Sequence, residues 1–254
     1  ALEHVHQHPQ WRANIITGIA PENSLIAVPE GQVHLQKDFN HPFYGWDNEY
    51  GQHEAEIAAF EAAKYLVSNQ EFLAFVEADG YQTGHYWSEE GLGWLQFSQA
   101  THPCFWCKTE LGWSLRLMLE EVPMPWDWPV EVNYHEAKAF CQWKSQQLEK
   151  TIRLPTEDEW YRLYAVSDLD PDLPSPEQAN IELKYGTSSC PVDHFRQGDF
   201  YDIQGNVWQW TETPIYPFQG FQVHPLYDDF STPTFDGRHN IIKGGSWISA
   251  GNEA

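Results

Sequence analysis

Two glycine–tryptophan clusters, about forty residues apart, constrain this chain more than any other feature. The first is Gly205–Pro214 (G-N-V-W-Q-W-T-E-T-P) and the second is Lys243–Trp247 (K-G-G-S-W). Tryptophan is large and carries one N–H that needs a partner when buried. A glycine beside it marks a tight turn or a close backbone approach. Neither cluster has the period of a helix or a strand. Together they predict a compact, loop-rich core in which aromatic wedges pin the turns.

Composition supports that picture and excludes several alternatives. The 254 residues include 13 Trp, 12 Tyr and 14 Phe, ample for a core, while 17 Gly and 17 Pro keep regular elements short. Fourteen Lys and Arg face 37 Asp and Glu, a net charge of −23. Such a chain repels phosphate backbones, so nucleic acid is not an expected partner. No apolar run is long enough to span a membrane, and no secretory signal opens the sequence. Four cysteines are too few for a disulfide framework in a chain of this size. Cys104-x-x-Cys107 lacks the second half of a zinc ribbon and reads as a pair of structural thiols. These features predict a cytoplasmic setting. The start at Ala1 suggests an excised or incomplete chain.

Residues 1–27 read as a tail or linker, with Val28–Leu35 turning into a strand that has Val33 and Leu35 on one face. Three polar boxes announce helices: Ser68–Glu71, Asn133–Glu136 and Thr156–Glu159. They predict helices over about 69–78, 134–148 and 157–166. The first should bury Phe72, Leu73, Phe75 and Val76. The second should bury Ala137, Phe140, Cys141 and Leu148, and the third Trp160, Leu163 and Tyr164. Glu136 and Glu159 are therefore capping residues, not catalytic ones. Residues 80–132, dense in Trp, Gly and Pro, read as long aromatic loops, and 168–178 as an acidic, proline-rich loop. Asn206, Trp208 and Trp210 read as architectural, with the indoles buried.

The two clusters, with Arg153–Trp160 (R-L-P-T-E-D-E-W) upstream in the same order, resemble the formylglycine-generating-enzyme-like family. This family is also called the sulfatase-modifying-factor family. The resemblance runs from about Val28 to Ala254. It implies an α+β, irregular, loop-rich variant of the C-type-lectin fold. Formylglycine-generating enzymes use a cysteine pair near the C-terminal end to hold copper, and no cysteine here follows Cys190.

Other stretches resemble the sulfoxide-synthase branch, above all the ovothiol-type enzymes. They are 41–56 (H-P-F-Y-G-W-D-N-E-Y-G-Q-H-E-A-E), 65–73, 210–221 and 242–254. That branch implies non-haem Fe(II) and O₂, which join the sulfur of cysteine to the imidazole of histidine. It also implies a preceding helical domain whose histidines bind the iron. No H-x-x-x-H-x-E spacing occurs in this sequence, so the resemblance places no iron ligand in the chain and makes that domain its partner. The family further continues into an arginine-rich strand ending near G-F-R. The expectation is thus a central domain, truncated at its C-terminal end and inactive alone.

By the same resemblance Tyr227, in H-P-L-Y-D-D-F, is the candidate active-site tyrosine, with Tyr216 as the alternative. Asp47, Asn48, Glu49, Thr211 and Glu212 are candidate substrate contacts. The turn network that Asp and Asn commonly build is an equal reading of the first three. Asn180 and Ile181 match a calcium position, to which Asp193 and Asp199 could add oxygens. His4, His6 and His8 could chelate a metal. A non-catalytic lectin-like binding module, or a formylglycine generator completed by a missing segment, are the competing functions.

Overall fold

The computed structural model describes residues 13–40, 45–110, 112–167, 169 and 177–250. His4, His6 and His8, and most of the acidic loop at 168–178, lie outside them. Short strands come first: β1 (Leu25–Val28), β2 (Gly31–Lys37), β3 (Gly51–Ile57) and β4 (Phe60–Ala63). β1 pairs with β4 and β2 with β3, both antiparallel. Alternation in β2 buries Val33 and Leu35, as the sequence predicts. The expected boundary at Val28 falls inside β1. Residues ahead of it are already tied to the domain, since Trp128 donates its indole N–H to the Ile16 carbonyl at 2.7 Å.

α1 (Asn69–Glu77) starts where Ser68 caps the Glu71 amide, and it buries Phe72, Leu73 and Phe75. Glu71 does not complete a box. Its carboxylate pairs with Lys144 at 2.8 Å instead. The reading of 80–132 as loops is overturned by α2 (Glu89–Ser98) and a three-stranded antiparallel sheet. The strands are β5 (Trp106–Thr109), β6 (Gly112–Arg116) and β7 (Glu121–Pro123). Cys104 and Cys107 flank the turn into β5, where Trp106 is the inward residue. Cys104 is exposed and Cys107 half-buried, so they are not a packed structural pair.

α3 (Tyr134–Leu148) and α4 (Glu157–Val166) have their boxes closed in both directions, by Asn133 with Glu136 and by Thr156 with Glu159. In α3 the buried stripe is Glu136, Ala139, Phe140, Cys141 and Trp143, whereas Leu148 is exposed. Trp143 replaces Leu148 because the helix packs along its first three turns on α1, Phe140 against Phe72 and Phe75 and Trp143 against Phe75. α4 packs Trp160 with Val28, Phe200 and Ile203 in a second, smaller core.

The last strands are β8 (Arg196–Gln197), β9 (Phe200–Tyr201), β10 (Gln209–Pro214) and β11 (Asn240–Lys243). β10 and β11 pair antiparallel and bring the two glycine–tryptophan clusters together. Asn206 sits between them, 0% exposed and in the left-handed region at φ 66°. Its amide donates to the Cys190 carbonyl (3.1 Å) and to Asp202 Oδ2 (3.0 Å). Its Oδ1 accepts from the Cys190 N–H (3.0 Å) and from Asn180 Nδ2 (3.2 Å). Gly205 beside it has φ 88°, and a Cβ there would lie 3.0 Å from the Asn180 backbone. Trp208, expected to be buried, is 43% exposed, because the turn directs it outward while Trp210 binds the Val132 carbonyl.

Asp202 is fully buried, and among the described residues only Asn206 hydrogen-bonds its carboxylate. Burial drives its pKa well above the ordinary carboxylate value, against the opposing pull of the Asn206 amide. A carboxyl raised in this way contributes stability below its unfolded pKa, about 3.9. That contribution is lost as pH rises through the folded value. In the wild-type chain unfolding free energy is therefore expected to decline as pH rises above about 4, and Asp202→Asn is expected to flatten that decline. Urea titrations at several pH values measure it, and parallel profiles for the two proteins would contradict it.

Candidate functional site

The structure gathers part of the predicted site at one surface. Trp46, Asp47 and Glu49 lead into β3 through a short 3₁₀ turn, Asp47–Glu49. The long segment between β10 and β11 crosses beside them, tied to β3 by paired backbone bonds between Gln52 and Gln219 (2.9 and 3.1 Å). Gly51 makes this approach possible. Its φ is 118°, and a Cβ would stand 2.8 Å from the Gln219 carbonyl.

Further along the segment, Tyr227 is 42% exposed and lies edge-on to Trp46 at 5.6 Å, with the His224 ring 5.1 Å away. Phe230 leans on Trp46 at 5.5 Å. With Leu226 and Val223 these rings form an exposed apolar patch on a strongly acidic protein. Patches of this kind mark binding surfaces. No described residue hydrogen-bonds the Tyr227 hydroxyl. Tyr216 sits deeper, against the rings of His53 (5.7 Å) and Phe218 (5.5 Å). Burial and the carboxylates of Glu157 and Asp158 push its phenol up to about 12, which makes it a poorer proton donor.

The acidic candidates divide. Asp47 is only 6% exposed, and its carboxylate accepts from the Ser231 hydroxyl and the His224 N–H (3.0 Å). Burial acts to raise its pKa, but these bonds and the Asn48 amide outweigh that and hold it below the ordinary value. It is the network reading of Asp47 that the structure supports. Glu49 closes the 3₁₀ turn on the Trp46 N–H (2.7 Å) and pairs with Lys37 (2.8 Å), and Asn48 is half-buried beside them. Thr211 is wholly buried, with its hydroxyl on the Ile241 carbonyl at 2.8 Å, so it faces no pocket. Glu212 does line an open cleft of about 730 Å³ with Lys138, Gln142, Arg153 and Thr156. Lys138 donates to its Oε2 at 2.6 Å. This cleft is a separate feature from the tyrosine patch.

Metal binding fits the described residues poorly. Among them no three His, Cys, Asp or Glu side chains are placed to hold a metal ion, so they do not furnish an iron site. At the calcium position Asn180 Oδ1 is buried and without a hydrogen bond, as a ligand oxygen would be. The Ile181 carbonyl accepts from Lys184, Asp193 is exposed, and exposed Asp199 faces Arg196 at 3.5 Å. Calcium takes about six to eight oxygens, and this set does not supply them. His53, which the sequence reading passed over, joins the site by binding Asp158 (2.9 Å) and stacking on Phe218 (5.4 Å). Its place in the alternation of β3, opposite Leu35, was the available signal.

Comparison with known proteins gives one consistent result. A family profile for the sulfatase-modifying factor enzyme 1-like domain matches residues 17–254. Hercynine oxygenase of Mycobacterium tuberculosis is 30% identical over 230 residues, 79% of this chain and 48% of that protein. Hercynine oxygenase of Mycolicibacterium thermoresistibile is 28% identical over 295 residues, 98% of this chain and 61% of that protein. The chain thus spans about half to three fifths of these relatives. PvdO from Pseudomonas aeruginosa shares the fold with a TM-score of 0.57 at 18% identity, over 88% of this chain and 82% of that one. Treponema denticola variable protein 1 does so with 0.58 at 17% identity, over 91% and 86%.

Proposed function

Because the chain belongs to the sulfatase-modifying factor enzyme 1-like family, we propose that it is the pocket-forming domain of a sulfoxide synthase. The reaction joins the sulfur of cysteine to the imidazole of histidine, as in ovothiol formation. In balance, a thiol, an imidazole C–H and O₂ give a sulfoxide-bridged adduct and water. Similarity to two hercynine oxygenases over most of the chain carries the reading. The four stretches that resemble ovothiol-type enzymes favour histidine as the imidazole donor.

In this reading the redox metal is iron(II), held by a helical domain in the rest of a longer polypeptide. The domain described here contributes a wall of Trp46, Tyr227 and Phe230 that excludes water. It also keeps one phenolic proton, on Tyr227 Oη, at the mouth of that wall. Proton delivery by a fixed side chain is worth about 10²–10⁴ in rate. Tyr216 is the weaker candidate, since burial and the nearby carboxylates raise its pKa above the ordinary phenol value and oppose proton release.

A competition assay tests donor choice. The full-length protein, with Fe(II), cysteine and air, receives equal histidine and hercynine. The histidine adduct should dominate. A dominant hercynine adduct would move the protein to the ergothioneine side of the family.

A further inference from the structure

Resting on that reading of Tyr227, we propose that Asp47 is a positioning residue: a clamp that sets the shape of the tyrosine segment without touching substrate. Its two oxygens reach points on both sides of Tyr227. One accepts from the Ser231 hydroxyl and the other from the His224 N–H at 3.0 Å. Between those points the chain makes two successive turns, closed by Tyr227 N–H to the His224 carbonyl (2.9 Å) and Phe230 N–H to the Tyr227 carbonyl (3.1 Å). One buried carboxylate therefore fixes both ends of an eight-residue stretch, with Tyr227 inside it.

Sequence distance makes the clamp effective. Asp47 lies 177 residues from His224 and 184 from Ser231, so the bonds couple two parts of the chain that no local turn connects. The next residue back, Trp46, is the ring on which Tyr227 and Phe230 rest. The same 3₁₀ turn thus supplies both the floor beneath the tyrosine and the anchor that holds it there. Before His224 the segment is held by the Gln52–Gln219 pair and by Phe221, edge-on to Phe235 at 5.2 Å, and neither contact reaches the turns that carry Tyr227.

The two oxygens also predict which substitutions are tolerated. Asparagine at 47 can still accept the His224 N–H through its oxygen. Its NH₂ can donate to the Ser231 hydroxyl, which also accepts. Alanine can do neither. In the full-length enzyme, Asp47→Ala should lower kcat by about 10²-fold, the cost of a misplaced reacting group. KM should change little, and Asp47→Asn should recover most of the loss. In a Tyr227→Phe background, Asp47→Ala should add almost nothing, because both act through one hydroxyl. Hydrogen exchange provides an independent readout, with amides 224–230 exchanging faster in Asp47→Ala while those of α3 stay protected.

Unchanged exchange in 224–230 would overturn the clamp. Faster exchange with additive losses in the double variant would overturn the route through Tyr227. A silent Tyr227→Phe would strike the underlying reading of the tyrosine, and the exchange result would still report on the clamp.

Discussion

Replacing Asn206 with alanine is expected to destabilise the domain by about 4 kcal/mol, an exceptional cost for one side chain. Four hydrogen bonds leave with it, and their partners on Cys190, Asn180 and Asp202 are all buried. Each orphaned group costs about 1–3 kcal/mol, and the costs overlap. The backbone adds to this, because φ 66° is tolerable for Asn and strained for Ala. Asn206 also receives the Trp247 N–H on its carbonyl and donates its own N–H to Asn180, so it joins the two glycine–tryptophan clusters directly. Urea unfolding followed by tryptophan emission measures the change. Trp208→Ala, in the same turn but 43% exposed, is the control and should cost about 1 kcal/mol or less. An Asn206→Ala midpoint close to wild type would mean that the buried network is not what holds the turn.

The largest effect on activity is expected at Tyr227. Tyr227→Phe in the full-length enzyme should lower kcat for adduct formation by about 10²–10³-fold. Stability should not change, since the hydroxyl has no hydrogen bond to a described residue. Tyr216→Phe is the matched comparison: its ring is packed on His53 and Phe218, and its hydroxyl is predicted to be dispensable. If the loss followed Tyr216 instead, the catalytic assignment would move to the deeper phenol. Rapid-quench measurement of a single turnover separates this chemical step from product release.

The parts of this fold that were legible in the sequence are those built by neighbouring residues. Asn133 with Glu136 and Thr156 with Glu159 announce α3 and α4, because a capping box is closed within four residues. Helix α2 stayed hidden because Gly91 and Gly93 lower its local propensity, and the tertiary packing of Trp94 on Trp87 outweighs that loss. Strands β5 to β7 are short, and aromatic residues within them read equally well as loop wedges. At the candidate site, the sequence named Tyr227 and the D-N-E triplet as candidates, but the bonds of Asp47 to His224 and Ser231 were not legible, because these partners lie beyond any local window. Trp208 shows the converse error: a tryptophan in a glycine turn need not be the wedge.

The most direct test of the account is isotopic. The full-length protein with Fe(II), cysteine and histidine is exposed to ¹⁸O₂, and the products are examined by mass spectrometry. The account predicts a cysteine–histidine adduct that carries one atom of ¹⁸O on sulfur, with the second oxygen leaving as water. The absence of any cysteine–histidine adduct, with the protein folded and its iron bound, would contradict it.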